Sequence, residues 1–323
     1  MSSMTLLSES DLVAVDLSFD DILALIEHTY ALQEQGGVDV PTKIGVHPHY
    51  PKSFLHAMPA WVAGPEPSLG MKWISYYPGN TERGLPDSTG IIVLNDPDTG
   101  QPVCMMEGMY LTFLRTAACA AVAAKRLHAT PKTLGLLGCG GLGVRSLQFM
   151  RHAFPSLETV YVSSRRPESR EKFCMEMQKE PCRLLPVATP GDAIVNSDIV
   201  VTSVPPTSAP PVEPGMLREG SLFIPLDILN SWQPETLGDF DRYVVDNVEA
   251  FPRLIQRKMG HDALDKNAMI STQGVVSHRA IDTPTQGRTF IGVCGIASID
   301  ICIAWKMYQR ALQLGFGTPF QIR

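Results

Sequence analysis

A glycine-rich string, Gly-Cys-Gly-Gly-Leu-Gly at residues 138–143, separates the apolar run 133–137 from a segment with helical spacing. In a strand–turn–helix unit, Gly138 can adopt the angles of the tight turn, Gly140 leaves room for a pyrophosphate, and Gly143 allows close packing of helix on strand. The helix N-terminus then favours an anion. The string predicts a dinucleotide-binding loop, although a chain with 26 glycines could also form an ordinary turn here. The predicted loop residues are Gly138, Gly140, Gly141, Leu142 and Gly143.

The segment expected to contact the adenosine ribose lies about 20 residues beyond the last glycine. An acidic residue there usually accepts a hydrogen bond from the ribose 2′-hydroxyl, whereas this chain has Ser163, Ser164, Arg165 and Arg166. Guanidinium groups bind phosphate in a bidentate fork. Ser163, Arg165 and Arg166 are therefore predicted cofactor residues, and NADP(H) is favoured, with NAD(H) possible. The alternative is that the two arginines are ordinary solvated residues.

Composition narrows the class of protein. At 323 residues the chain is long enough for two domains, and 44% hydrophobic with 19% charged residues is typical of a globular protein. A net charge of −6 argues against a nucleic-acid partner. The sequence predicts neither a secretion signal nor a membrane span. The seven cysteines lack Cys-x-x-Cys spacing and suit a reducing compartment, so the cytoplasm is predicted.

From residue 133 onward, strand-like and helix-like segments alternate, which predicts a parallel sheet wrapped by helices. The predicted strands are 133–137, 159–163, 182–187, 198–203, 221–226 and 242–246. The predicted helices are those opening at about Val144 and running to about His152, then 168–179 and 190–196. Thr202 and Ser203 come at the carboxyl end of one predicted strand, where they are placed to line the nicotinamide side of a cofactor.

The segment before residue 110 has a different pattern: a helix near 19–35, then short strand-like runs separated by Pro and Gly turns. These runs, 53–58, 70–75 and 90–94, predict a mostly antiparallel layer. An alanine-rich helix, from Thr112 as N-cap to about Leu127, leads from one domain to the other. A helix from Ile296 to about Leu314 is expected to pack on the first domain.

The predicted fold class is α/β, with a Rossmann-type doubly wound parallel sheet and a smaller α+β domain. The expected boundaries are 1–112 with 300–323 for a substrate-binding and dimerisation domain, and 113–299 for the dinucleotide-binding domain.

Several further strings occur in order along nearly the whole chain. They are Met58-Pro-Ala60, Gly70-Met-Lys-Trp73, Tyr77-Pro-Gly-Asn80, Gly84-Leu-Pro86, Leu94-Asn-Asp-Pro-Asp-Thr-Gly100, Leu111-Thr-x-x-Arg-Thr-Ala-Ala118, Gly295-x-Ala-x-x-Asp300, Ala304 and Arg310-Ala311. Together with the glycine string they resemble the ornithine cyclodeaminase/mu-crystallin family. The resemblance implies a Rossmann domain, a substrate domain that also forms a homodimer, and an NAD(P)-dependent activity on small amino or imino acids.

The resemblance also assigns individual residues. Lys72 matches the family's catalytic lysine, Arg115 the arginine that binds the substrate carboxylate, and Asp227 the aspartate next to the reacting nitrogen. Acid–base and carboxylate-binding roles suit these residue types. Taken alone, each would be an ordinary strand, helix-surface or loop residue. An isolated charge in the apolar segment around Arg115 is costly to bury unpaired, which favours a bound anion.

Two positions depart from the family pattern. Lys43 stands where a second carboxylate-binding arginine is expected, and His56 stands where a cyclodeaminase has a glutamate facing the distal amine of its substrate. Lys43 and His56 are predicted substrate-binding residues, and an acidic or small uncharged substrate side chain is preferred to ornithine. His47 and His49 are interpreted as loop residues, and no metal site is predicted.

These observations predict an NAD(P)(H)-dependent oxidoreductase that transfers hydride at the Cα–N bond of a small α-amino or α-imino acid, as an imine reductase or amino-acid dehydrogenase does. Two alternatives stay open: an ornithine cyclodeaminase, which eliminates ammonia in a cyclisation, and a mu-crystallin-like NADPH-dependent small-molecule binder.

Overall fold

The computed structural model describes residues 3–49, 53–207, 209–227, 230–259, 265–277 and 287–322. The chain divides into two compact units. The terminal unit combines Met1–Arg115 with Ile296–Arg323, and the central unit is Thr116–Gly295.

Helices and strands follow one another along the chain in this order. They are β1 Ser3–Leu7, α1 Glu9–Val15, α2 Phe19–Glu34, β2 Val38–Asp39, β3 Ile44–Val46, β4 Phe54–Val62, β5 Ser68–Tyr76, a 3₁₀ turn Pro78–Arg83, β6 Ser88–Asn95, β7 Pro102–Glu107, α3 Met109–Leu127, β8 Thr133–Leu137, α4 Gly141–Ala153, β9 Thr159–Ser163, α5 Pro167–Glu176, β10 Arg183–Pro186, α6 Pro190–Val195, β11 Ile199–Thr202, β12 Leu222–Pro225, a 3₁₀ turn Pro234–Asp239, β13 Arg242–Val245, α7 Ala250–Met259, a 3₁₀ turn Lys266–Ala268, β14 Met269–Ser271, α8 Thr272–Val276, β15 Thr289–Gly292, α9 Ala297–Leu314 and β16 Thr318–Gln321.

The terminal unit contains a mixed sheet with the strand order β16-β1-β7-β6-β5-β4-β2, and β3 pairs with β4. Its described pairs are antiparallel except for β1 with β7. Helix α9 packs against β4 and β5. A Cβ on Gly70 would lie 2.5 Å from the Val93 carbonyl oxygen and 3.2 Å from Cδ1 of Ile301. Glycine is therefore needed on β5 to let α9 approach the sheet.

The central unit contains a fully parallel sheet with the order β10-β9-β8-β11-β12-β15-β13-β14. The order runs backwards from β10 to β8 and then jumps to β11, which makes the carboxyl ends of β8 and β11 a topological switch point. Ligands bind at such points in open α/β sheets. The predicted fold class is confirmed in both units.

Strand β15 was not among the predicted strands, yet it lies between β12 and β13. Its position follows from the aromatic core of the central unit. The Phe290 ring lies 5.3 Å from the rings of Trp232, Phe240 and Phe251, and 6.0 Å from that of Phe223. Burial of this aromatic cluster stabilises β15, which carries Phe290, at its position between β12 and β13.

Helix α3 begins at Met109, so the prediction that Thr112 is its N-cap is wrong. The Glu107 carboxylate instead accepts hydrogen bonds from the backbone N–H groups of Met109, at 2.6 Å, and Tyr110, at 2.8 Å. The Thr112 hydroxyl donates back to the Gly108 carbonyl at 2.5 Å. A carboxylate satisfies the unpaired donors of a helix start as well as a hydroxyl does.

The described residues contain neither a candidate membrane span nor a candidate metal-ligand cluster. No helix in this part of the chain is long and apolar enough to span a bilayer. Across the same residues, no group of three or more His, Cys, Asp or Glu side chains is placed to hold a metal ion.

Candidate functional site

The glycine string forms the turn between β8 and α4. Gly138 has a φ of +113°, and its N–H donates to the Ser163 carbonyl at 2.9 Å. A Cβ on Gly138 would lie 2.5 Å from the Ser203 carbonyl oxygen. Position 138 therefore requires glycine for two reasons: its positive φ, and the close approach of the chain at the end of β11.

Helix α4 begins at Gly141, three residues earlier than predicted, with Gly140 as its N-cap. No heavy atom lies within 4 Å of the position that a Cβ on Gly140 would occupy, so this side of the loop is open. A Cβ on Gly143 would instead collide with the Gly138 carbonyl oxygen. The first N–H groups of α4, at Gly141, Leu142 and Gly143, have no partner within the helix. The open face and these donors fit a pyrophosphate.

The turn after β9 carries the predicted ribose residues. Ser163 is buried and holds the glycine turn through its carbonyl, whereas Arg165 and Arg166 are exposed. Arg170 Nη1 donates to the Ser164 carbonyl at 3.2 Å. The turn thus presents cations to solvent, and the first carboxylate after the strand is the exposed Glu168 of α5.

Asp227 follows β12 and is buried. Its Oδ2 accepts from the Val204 N–H at 3.1 Å, and its Oδ1 accepts from the Ser231 hydroxyl at 3.1 Å and the Asn230 N–H at 3.3 Å. Burial raises the pKa of Asp227, and these donors oppose the rise without cancelling it. A raised pKa makes a carboxyl a better proton acceptor than an exposed one, which suits it to proton exchange.

The end of the neighbouring strand, at Thr202 of β11 and at Ser203 directly after it, contacts the side chains that bind this carboxyl and the glycine turn. The fully buried Thr202 hydroxyl lies 2.6 Å from the Ser231 hydroxyl, which in turn donates to Asp227. The Ser203 N–H donates to the Leu137 carbonyl at 2.7 Å. Within the central unit, the glycine turn, Thr202 and Asp227 thus all follow the carboxyl ends of β8, β11 and β12, whereas the contact of Thr202 and Ser203 with a nicotinamide stays a prediction.

Lys72 of β5 is fully buried in the terminal unit. Its Nζ lies 2.8 Å from Asp300 Oδ1. Burial lowers the pKa of Lys72 to about 8; the charge of Asp300 raises it, and those of Arg115 and Lys43 lower it further. An amine that titrates close to neutral pH is suited to proton transfer.

Arg115, at the boundary end of the terminal unit, donates from Nε to the same Asp300 oxygen at 3.0 Å. The chain itself thus supplies one carboxylate partner for this buried cation, 185 residues further along, and the binding of a substrate anion by Arg115 stays a prediction. Burial raises the pKa of Asp300, but the charges and hydrogen bonds of Arg115 and Lys72 outweigh burial and lower it. Asp300 is thus ionised at neutral pH.

The sequence strings include Asp300 only as the last residue of Gly295-x-Ala-x-x-Asp300 and assign no role to it. It is a single charge within the apolar segment 297–304 of α9. The same signal had singled out Arg115 in α3. Two single opposite charges, each within an apolar stretch of its helix, could have been proposed as partners.

The two departures from the family pattern lie near this cluster. Lys43 is exposed, yet close enough to lower the pKa of Lys72. His56 lies opposite Ile74 and Met58 opposite Lys72, so His56 and Lys72 share one face of neighbouring strands. The half-buried His56 ring stacks on Phe54 at 4.2 Å and meets His47 edge-on at 5.6 Å.

The sequence model of the ornithine cyclodeaminase/mu-crystallin family matches residues 3–313. This chain belongs to that family. The nodulation efficiency protein NfeD of Rhizobium meliloti is 32% identical over 318 residues, which is 97% of each chain. The resemblance inferred from the sequence strings is thereby confirmed.

Solved structures of family members are similar over the full length. The Δ¹-pyrroline-2-carboxylate reductase of Thermococcus litoralis, in complex with NADH and L-proline, has a TM-score of 0.88 and 28% identity, covering 98% of this chain and 99% of that one. An archaeal alanine dehydrogenase dimer with bound NAD has a TM-score of 0.88 and 24% identity, covering 100% of both chains. The second likeness concerns the fold alone.

Proposed function

We propose that the chain reduces the C=N bond of a small α-imino acid and, in reverse, oxidises the corresponding α-amino acid. It is an NAD(P)-dependent oxidoreductase of the ornithine cyclodeaminase/mu-crystallin family. The observation that carries the substrate proposal is the buried cluster of Lys72, Asp300 and Arg115, in which two cations contact one carboxylate oxygen. Two cations and one carboxylate, all ionised, together carry a net charge of +1, which complements the carboxylate of an imino acid.

The reaction balances as follows. The π bond of C=N breaks, a hydride forms the C–H bond at Cα, and a proton from the protein forms the N–H bond. A reduced nicotinamide cofactor, held at its pyrophosphate by the glycine turn 138–143, supplies the hydride when bound. The protein must bind the carboxylate, keep the imine oriented and deliver the proton.

Arg115, assisted by Lys43, binds the substrate carboxylate, because guanidinium and ammonium groups stabilise an anion that has left water. Lys72 orients the substrate and donates a proton, which its pKa of about 8 permits near neutral pH. Asp227 exchanges the proton at the substrate nitrogen or on a water, for which its raised pKa suits it.

His56 sets the preferred substrate side chain. A distal ammonium in a closed site requires an anion, since an unpaired buried charge costs several kcal/mol. Histidine is neutral or cationic, so it favours acidic or small uncharged side chains over that of ornithine. His56→Glu should raise turnover of ornithine relative to alanine or iminosuccinate generated from oxaloacetate and ammonia; an unchanged ranking would remove His56 from specificity.

The cofactor preference proposed is NADP(H) over NAD(H). Two features support this preference. Arg165 and Arg166 are exposed directly after β9, and the first carboxylate after that strand comes only at Glu168. The proposed compartment is the cytoplasm, in keeping with seven free cysteines.

A homodimer is proposed to form through the sheet face opposite Lys72. Trp73 pairs with Ala57 and Ile91, and both Trp73 and Ile91 are about two-fifths exposed. Ile44 and Val46 of β3 extend this apolar face. A second copy of the chain would cover this apolar face, because a large exposed apolar patch favours association with another protein surface. Trp73→Lys should convert a dimer to a monomer in sedimentation measurements.

The function is tested with purified protein, NADPH or NADH, and a panel of preformed cyclic imines and of 2-oxo acids with ammonia, by following the absorbance of the reduced cofactor. Consumption with cyclic imines or ammonia-dependent consumption with 2-oxo acids supports the proposal. Ammonia release from ornithine without net cofactor change would instead identify a cyclodeaminase. Cofactor binding without turnover of any substrate would identify a carrier.

A further inference from the structure

Asp300 occupies an unusual position among the buried polar groups of the terminal unit. Its side chain is fully buried, and its Oδ1 accepts from two cations, Lys72 Nζ at 2.8 Å and Arg115 Nε at 3.0 Å. The other oxygen, Oδ2, is buried without a hydrogen-bond partner within the described residues. Both contacts to the cations are therefore made by a single oxygen atom of Asp300.

The chain brings this carboxylate to the cations by a specific packing arrangement. Gly70 leaves space on β5 for Ile301 of α9, and the next residue back along α9 is Asp300. Lys72 lies two residues beyond Gly70, on the same face of β5. Arg115 approaches from α3. Three elements remote in sequence therefore converge on one oxygen atom.

We infer that Asp300 is a positioning residue for the proposed reaction, which holds the Lys72 ammonium and the Arg115 guanidinium side by side on Oδ1 and keeps Lys72 protonated. The inference rests on the proposed function, in which Lys72 donates a proton and Arg115 binds the carboxylate. Asp300 touches neither substrate nor cofactor in this proposal; it acts through the two cations.

The charges around Lys72 make this role necessary. Among the described residues, Asp300 is the carboxylate that raises its pKa, while Arg115 and Lys43 repel its proton. The residues opposite Lys72 on β4 and β6 are Met58 and Ile92, which carry no charge, and His56 is the nearest titratable group along that face of β4. Without Asp300, a buried amine beside two cations would lose its proton.

The test compares Asp300→Asn with wild type in two measurements. The first is the pH profile of kcat/KM for imine reduction, which in wild type should fall above about pH 8 as Lys72 loses its proton. Removing an opposite charge in contact shifts a pKa by about 1 to 3 units. In Asp300→Asn, the fall in kcat/KM should occur at a pH lower by about that amount. A fall at the wild-type pH would overturn the inference.

The second measurement is the NMR titration of Lys72 with ¹³Cε-labelled lysine, assigned by comparison with Lys72→Met. This titration needs no turnover, so it tests the inference even if the proposed reaction is absent. A wild-type protein that reduces no imine would disprove the proposed function. A Lys72 pKa that is unchanged by Asp300→Asn would disprove the inference. Thermal unfolding of the variant reports whether the terminal unit, which contains Asp300, is folded, and retained affinity for NADH reports the same for the central unit.

Asp198→Asn is the matched control. Asp198 is a buried carboxylate of the central unit that accepts from the Lys132 and Thr133 N–H groups, at 2.7 and 2.9 Å, and pairs with Arg218. Its replacement should lower stability and leave the pH at which kcat/KM falls unchanged.

If Asp300→Asn does not fold, Asp300→Glu provides the test. It should keep the fall in kcat/KM at nearly the wild-type pH, yet lower kcat/KM itself about tenfold, because the two cations are displaced by one methylene. Wild-type kinetics for Asp300→Glu would overturn positioning.

Discussion

The two units build their functional groups in opposite ways. In the central unit, the proposed cofactor loop is a contiguous backbone structure, in which Gly138 and Gly143 make the turn possible and Gly140 leaves it open. In the terminal unit, Lys72, Arg115 and Asp300 are buried side chains from three remote elements. The first arrangement follows from local conformational rules, and the second exists only once the tertiary structure has formed.

Two buried aspartates sharpen the comparison. Asp227 receives hydrogen bonds from amides and hydroxyls, and burial raises its pKa. Asp300 is more deeply buried, yet two contacting cations lower its pKa. The environment thus shifts the pKa of the same residue type in opposite directions in the two units. In the proposed mechanism, Asp227 accordingly exchanges a proton, whereas Asp300 stays ionised and positions two cations.

The largest effect is expected from the buried lysine. Lys72→Ala should lower kcat for imine reduction by about 10²- to 10⁴-fold, because a general acid contributes about that much. Affinity for the cofactor should be retained, since the glycine turn lies in the other unit. Stopped-flow reduction rates and cofactor titration measure the two quantities.

Lys306→Ala is the control for that variant. Lys306 is an exposed lysine of α9 that pairs with Glu66 at 3.3 Å. Its loss should leave kcat within about twofold of wild type, as exposed ion pairs contribute little. Near wild-type turnover in Lys72→Ala would remove the lysine from the mechanism.

The glycine turn offers a second contrast, between two glycines two residues apart. Gly138→Ala combines a positive φ with a clash at the Ser203 carbonyl, so it should destabilise the protein by about 1 to 3 kcal/mol. Gly140→Ala meets nothing within 4 Å, so it should leave stability nearly unchanged and weaken the cofactor alone. Thermal unfolding with and without NADPH separates the two effects. Equal destabilisation by both variants would contradict the assignment of Gly140 to the phosphate.

The sequence predicted what depends on local rules. The glycine turn, the parallel strands of the central unit and the helix ending at Leu314 follow from turn geometry and apolar periodicity. The partner of Arg115 could not be predicted in this way, because Asp300 lies on another helix and no periodicity relates them. The N-cap of α3 was missed for a similar reason: Glu107 ends a strand, and its capping role depends on how the chain turns at Gly108.

Removal of the Lys72 charge should also raise stability. The pKa of Lys72 falls from 10.5 to about 8 on folding, so the native state opposes the protonated form. Below pH 8 the amine is charged in both the folded and the unfolded state, so the full cost of burying the charge lowers the free energy of unfolding. Between pH 8 and 10.5 this cost declines, and above pH 10.5 it vanishes. Lys72→Met should therefore be stabilised relative to wild type most at pH 7 and progressively less towards pH 10. A loss of stability at pH 7, measured by urea unfolding, would show that the ion pair outweighs its burial.

The smallest expected effect concerns the exposed end of the cofactor site, which contrasts with both buried clusters. Arg165 and Arg166 are solvent-exposed, so their attraction to a 2′-phosphate is partly screened. Replacing both with alanine should weaken NADPH about tenfold, which corresponds to about 1.4 kcal/mol, and leave NADH unchanged. Raising the salt concentration should reduce the NADPH preference of wild type, because exposed charges are screened, and should have little effect on the double variant. Fluorescence titration of both cofactors at two ionic strengths measures this. A wild type that binds NADH more tightly, or a double variant that weakens both cofactors equally, would show that the arginines are only solvated surface residues and that the ribose is bound without a phosphate-specific contact.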